Sequence, residues 1–182
     1  MRNIVLIMLL CGMASSVNAA PPMSTPMSTV ASQYVPQPVV VGKGRLSVAF
    51  WDVYDASFIA PSSGVSAAVE RKGPFALELH YLLDLSGKDI AERTIDEIEG
   101  QGFSDKAKLT EWKTQLETIM PDVQDGTRLT GISTAQGETV FYKNDKKVGT
   151  ISDKEFGRQF FAIWLGEKTS EPALRRNLLG MK

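Results

Sequence analysis

Between Phe75 and Leu83 large apolar side chains occupy every second position: Phe75, Leu77, Leu79, Tyr81 and Leu83 alternate with Ala76, Glu78, His80 and Leu82. A period of two predicts a strand whose odd positions face a core. A slip of one residue would turn five large apolar groups into water, so the register is fixed. Gly73-Pro74 opens this strand, and the upstream stretch Leu46 to Phe58, rich in aromatic and β-branched residues, predicts another that is long and either straight or bent. After Gly87 the period changes. Ala91, Ile95 and Ile98 lie at helical spacing up to Gly100 and Gly102, and Ser104 is placed to cap a second helix striped by Leu109, Trp112, Leu116, Ile119 and Met120. Pro121 closes that helix. Three short strands follow near Arg128–Ser133, Thr139–Lys143 and Val148–Ile151, with Gln136-Gly137 and Asn144-Asp145 at hairpin turns. Ser152 and Glu155 form a capping box for a helix that is apolar on nearly every side from Phe156 to Leu165, which predicts burial on most faces. Gly166 stops it, and a last helix runs from about Pro172 to Leu179. Strands and helices arriving in blocks argue for an α+β fold and against a βαβ repeat.

The N-terminal end changes where such a domain is expected to work. Arg2, the apolar run Ile4 to Cys11 and the small residues Gly12 to Ala20 read as a secretory signal. The run is far shorter than the roughly 20 residues of a membrane-spanning helix. Val17-Asn18-Ala19 fits a small-residue cleavage site, so residues 1–19 are read as a signal peptide and the protein as periplasmic or secreted. Acylation of Cys11 is a rival fate, disfavoured by Leu10, which stands where such sites prefer a small residue. Residues 20–41 form a Pro/Ser/Thr/Met segment, with prolines at 21, 22, 26, 36 and 38 that deny it helix and central-strand roles. It reads as a flexible leader before a single domain at 42–182. No later stretch is long and apolar enough to span a bilayer.

Composition and candidate chemistry exclude more than they suggest. Twenty Lys+Arg against 21 Asp+Glu give a formal net charge of −1, which supplies no electrostatic footprint for nucleic acid. The one cysteine, Cys11, belongs to the signal, so an oxidising compartment would permit disulfides that this domain has no means to form. His80 is the only histidine and is expected on the outer face of its strand beside Glu78, a solvent-facing pair with no triad around it. One histidine and no domain cysteine are too few ligands for a structural zinc site. Gly42-Lys43-Gly44 is too short for a phosphate-binding loop. Asp96, Glu97 and Glu99 read as the solvated face of a helix, and Asp122 and Asp125 as turn residues before Gly126. No local motif calls for a metal or a cofactor.

Three segments in order carry a resemblance. They are Gly42-x-Gly44-Arg45 running into Trp51-Asp52-Val53-Tyr54-Asp55-Ala56; Phe75 through Gly87 into the helix at Ile90; and Phe141-Tyr142 through Phe156 to Ile163-Trp164-Leu165-Gly166, then Ser170-x-Pro172 and Leu178-Leu179-Gly180. Together, over residues 42–180, they resemble the chalcone isomerase-like proteins of bacteria, with the plant enzymes and fatty-acid-binding relatives more distant. The resemblance implies an open-faced β-sandwich, an antiparallel sheet packed with helices, and a ligand cleft between the two layers above the helix at Phe156–Leu165.

The family's enzymes use an arginine, threonines, a tyrosine and an asparagine. Carried onto this chain, the tyrosine falls at Ile90, the asparagine near Glu97, and the threonines at Ile163 and near Ala49. Ile90 and Ile163 donate no hydrogen bond, and a site built for polar groups loses orders of magnitude in rate without such partners. The resemblance therefore implies a scaffold without its catalytic residues. Arg45 is the survivor: in the lipid-binding branch an arginine near this strand, with a tyrosine, receives the ligand carboxylate, a task that suits a guanidinium. Arg45 and Tyr54 are the ligand-binding candidates, set against the plainer reading of a strand-start arginine and a tyrosine packed in the sheet. The expected function is an exported, non-catalytic domain that binds a small apolar carboxylate such as a fatty acid. An envelope structural or interaction protein, and an intramolecular lyase or isomerase with a rearranged site, are the alternatives.

Overall fold

The computed structural model describes residues 29–181; the signal expected at 1–19, with Cys11, and the first part of the expected leader lie outside the described residues. Six strands cross one antiparallel sheet in chain order: β1 (Pro38–Val48), β2 (Trp51–Pro61), β3 (Phe75–Tyr81), β4 (Arg128–Ser133), β5 (Thr139–Lys143) and β6 (Lys146–Ile151). The helices are α1 (Ala31–Tyr34), α2 (Val65–Val69), α3 (Gly87–Gly100), α4 (Lys106–Ile119), α5 (Lys154–Leu165) and α6 (Pro172–Leu178). The result is an α+β fold, as the block pattern predicts, with the open-faced antiparallel sheet that the resemblance implies.

Side-chain alternation divides that sheet into two unequal cores. Phe75, Leu77, Leu79 and Tyr81 of β3 join Tyr54, Ala56 and Phe58 of β2 in the large cluster shared with α3 to α6. Ala76, one position out of phase, joins Ile59, Ile132 and Val140 on the opposite face, where Val30, Ala31 and Val35 cover them. Both faces of the central strands are thus buried in part. α5 carries the densest part of the main core. Phe161 meets Phe75 edge-on with centroids 4.7 Å apart, and Phe160 meets Phe141 at 5.2 Å, arrangements that add to the area these rings bury.

Two sequence expectations differ from the structure at the N-terminal side. The single strand expected over Leu46 to Phe58 is a hairpin, broken at residues 49 and 50, where Ala49 takes a positive φ of 54°. No glycine or asparagine marks that turn, so the pattern allowed a bend but not a chain reversal. The flexible leader expected to residue 41 is folded from residue 29: α1 packs on the minor face and β1 starts at Pro38. β1 is an edge strand, where a proline forfeits no ladder bond that the sheet needs.

The helix caps sit one residue later than expected. Asp105 accepts hydrogen bonds from the N–H groups of Ala107 and Lys108 at the start of α4, and Asp153 accepts one from Glu155 N at the start of α5. Ser86 caps α3 through Asp89 N. Position then follows from small residues. A Cβ on Gly42 would stand 2.1 Å from Asn177 O, and one on Gly44 would meet Leu174 Cδ1 at 2.6 Å. These two glycines let α6 lie directly on β1, and that close approach closes one side of the space between sheet and helices.

Candidate ligand-binding cleft

Between the sheet and helices α3, α5 and α6 lies a cleft of about 270 Å³. Its floor is apolar: Leu77 and Leu79 from β3, Leu129 from β4, Phe141 from β5, and Phe160 and Ile163 from α5. Each of these is buried, because odd-numbered strand positions and the inner face of α5 point at one another. The exposed lining residues Asp89, Arg93, Ser170 and Glu171 mark its rim, with Leu46 and Val53 of the first hairpin half-buried beside them.

Polar chemistry enters at two levels. Deep in the cleft Trp164 donates its indole N–H to the Tyr54 hydroxyl at 2.9 Å, and the Tyr54 ring meets that of Tyr81 edge-on at 5.7 Å. Burial pushes both phenols up in pKa, for Tyr54 against the opposing effect of the Trp164 bond. At neutral pH both therefore stay protonated. At the rim Arg93 donates to Glu97, and Ser170 donates to the other oxygen of the same carboxylate at 2.9 Å. Glu97 thus ties α3 to the segment leading into α6. Thr94 is spent on its own helix, donating to Ile90 O at 2.7 Å. Three carboxylates, Asp89, Glu97 and Glu171, share the cleft lining with one guanidinium, that of Arg93.

The structure separates the two residues proposed from the sequence. Tyr54 lines the cleft, and Leu46, its partner across the hairpin, lies beside it. Arg45 precedes Leu46, so strand alternation sends its side chain to the other face. There it donates from Nε and Nη2 to both oxygens of Asp55, at 2.7 and 2.9 Å, and from Nη1 to Asp52 at 2.7 Å. The Asp55 bonds, and then that to Asp52, hold its pKa well above the ordinary arginine value. Arg45 lines a separate polar recess of about 340 Å³ with Lys43, Ser57, Glu78 and His80. The expected solvent-facing pair is also corrected: His80 is half-buried and Glu78 is 6% exposed.

The residues that the resemblance matches to the family's catalytic positions fall in two places. Ile90, Glu97 and Ile163 all line the cleft, whereas Ala49 sits in the exposed hairpin turn. Tyr142 and Thr139, other hydroxyls near in sequence to the cleft wall, do not line it; Tyr142 bonds to Tyr34 on the minor face at 2.9 Å. Sequence reasoning missed Arg93 and Tyr81. Tyr81 carried a signal, its odd position in β3, but read as core; Arg93 carried no motif that singled it out on α3. Among the described residues no cluster of histidine, cysteine, aspartate and glutamate suits a metal, and no helix is long and apolar enough to cross a membrane.

Residues 39–180 match the family model described as chalcone isomerase-like. No curated protein matches the chain. Among solved structures, a fatty-acid binding protein of Arabidopsis thaliana superposes with a TM-score of 0.62 over 79% of this chain and 87% of that one. The two are 13% identical in sequence, so the likeness is one of fold alone.

Proposed function

The chain belongs to the chalcone isomerase-like family, and from that premise we propose that it is an exported, non-catalytic member that binds one small apolar acid, such as a fatty acid, between sheet and α5. The observation that carries this reading is the cleft of about 270 Å³ with an apolar floor and a single guanidinium at its rim. Small-ligand pockets run from about 300 to 1,000 Å³, so a short molecule fits within and a longer acyl chain projects past the rim. The fold shared with a plant fatty-acid binding protein supports the ligand class. Export rests on the Arg2–Ala20 pattern.

The polar end of the ligand belongs at Arg93, since Arg45 faces away and is held by two aspartates. A carboxylate arriving there displaces Glu97, which keeps its bond from Ser170. Two features argue against catalysis. Ile90 and Ile163 donate no hydrogen bond where the resemblance places a tyrosine and a threonine. Tyr54 and Tyr81, with pKa values raised by burial, stay protonated at neutral pH and supply no base. Native mass spectrometry of protein isolated from its own cell, with thermal shifts across fatty acids of increasing length, tests the proposal. Adducts in the acid mass range and a chain-length optimum are expected. A clean apo mass together with no shift for any acid sinks it.

A further inference from the structure

The turn joining β1 to β2 presents its apolar side chains to solvent. Phe50 is 100% exposed, Trp51 72% and Val48 57%. Trp112 and Trp164 are both buried, which leaves Trp51 as the exposed indole of the three. Ala49 holds a positive φ of 54° at the apex, a conformation that L side chains adopt at some cost. A hairpin tip selected only for solubility would carry polar residues and a glycine or asparagine there. We propose that this tip docks into the surface of a lipid bilayer and holds the rim of the cleft against it.

Three observations favour a bilayer as the occupant. Aromatic side chains offer about 150–250 Å² each, so Phe50, Trp51 and Val48 together fall short of the roughly 800 Å² per partner of a stable protein interface. A bilayer needs no complementary surface, and its interfacial region is where tryptophan concentrates. The tip's base is electrically balanced or slightly acidic: Arg45 is paired with Asp52 and Asp55, and Ser47 donates to Asp52 at 2.6 Å. Attraction to anionic lipid therefore plays no part, and a zwitterionic surface suffices. Lastly, the tip is continuous with the cleft. Leu46 and Val53 line the cleft, and Val48 and Trp51 lie two residues beyond them, about 7 Å along strands that rise roughly 3.3 Å per residue. An apolar molecule leaving the cleft at this side enters the acyl region without crossing bulk water. The docking itself does not depend on which ligand the cleft takes.

The test uses the protein in the mature form its own cell produces, mixed with phosphatidylcholine vesicles. The expected result is a blue shift of tryptophan emission, quenching by lipids brominated along the acyl chain, and co-sedimentation that persists in high salt. The double variant Phe50→Ser/Trp51→Ser is expected to co-sediment at least about tenfold less, since each aromatic buried changes partitioning by roughly that factor. Its thermal midpoint stays unchanged because both side chains are exposed. Trp51→Phe keeps most of the sedimentation and loses the emission change, which assigns the signal to residue 51. Equal sedimentation of wild type and double variant overturns the proposal. So does a blue shift without vesicles that tracks protein concentration and a doubling of mass, the signature of a second copy on the tip. Loss of ligand adducts with vesicle binding intact would strike the cleft reading and leave the docking standing.

Discussion

Trp164 and Tyr54 share one hydrogen bond inside the main core, 110 residues apart in sequence. Replacing Tyr54 by Phe removes the acceptor and leaves a buried indole N–H, which costs about 1–3 kcal/mol. The expected readout is a lower urea midpoint at unchanged slope; an unaltered midpoint would mean that water reaches the indole. The opposite sign is expected at Thr139. Its Oγ1 is fully buried and has no hydrogen-bond partner among the described residues. Thr139→Val keeps the shape and removes the unsatisfied group, so stability should rise by about 1 kcal/mol. At the rim, Glu97 competes with any incoming carboxylate for Arg93. Glu97→Gln is expected to tighten fatty-acid binding by up to about fivefold and Arg93→Ala to weaken it comparably, the range of an ion pair whose arginine is exposed. Titration calorimetry with the acid and the matching alcohol checks the assignment, because the alcohol's affinity should not respond to either charge. Tyr54 was legible as a candidate only through the family resemblance, and Arg93 not at all, being one charge among many on a helix.

At the scale of elements, α5 depends on the carboxylate that starts it. Asp153 accepts from Glu155 N at 2.8 Å, from the Trp112 indole at 3.1 Å and from Lys108 at 3.3 Å, so one side chain caps α5 and fastens it to α4. Desolvation pushes its pKa up, and the Glu155, Trp112 and Lys108 bonds together outweigh that and hold it below the ordinary aspartate value. A folded-state pKa below the unfolded value of about 3.9 means that Asp153 contributes its full stabilisation above roughly pH 5 and loses it as pH falls through the folded value. Asp153→Asn keeps a good cap and abolishes that titration. Urea midpoints measured from pH 7 down to pH 3 should therefore show a gap between wild type and variant that narrows as the pH falls below about 4. A gap constant with pH would mean that the charge is not what the site uses. Elements of this kind were readable wherever a period ran long enough. β3, α3, α4 and α5 follow from their apolar spacing. The caps at Asp105 and Asp153 lie one residue past the serines expected, because Asp and Ser compete for the same geometry and only the backbone decides. The β1–β2 turn and α1 left no pattern to read: the turn lacks glycine, and α1 spans four residues of which only Ala31 is buried, against the sheet beneath it.

For the whole molecule the governing fact is that the sheet has two faces and the apolar cleft lies on only one of them. Alternation along β1 decides which residues reach the cleft, and a shift of one position places Arg45 with the minor face and Leu46 with the major. Fold class and the wall positions Ile90, Glu97 and Ile163 came from pattern and resemblance; the parity of Arg45 needed the hairpin to be known. That division gives a test of where binding happens. A ligand that binds the folded state alone stabilises it by about 2.7 kcal/mol at a hundredfold excess over its dissociation constant, roughly 5–10 °C in melting temperature for a domain of this size. Ile90 is half-buried on the cleft wall, so Ile90→Trp can turn its indole into the cleft at little cost to the fold. The variant should melt within a few degrees of wild type and respond to no acid. If its melting temperature instead rises with ligand as wild type does, the binding lies elsewhere, with the polar recess at Arg45, Glu78 and His80 the first place to look, and the cleft loses its assignment.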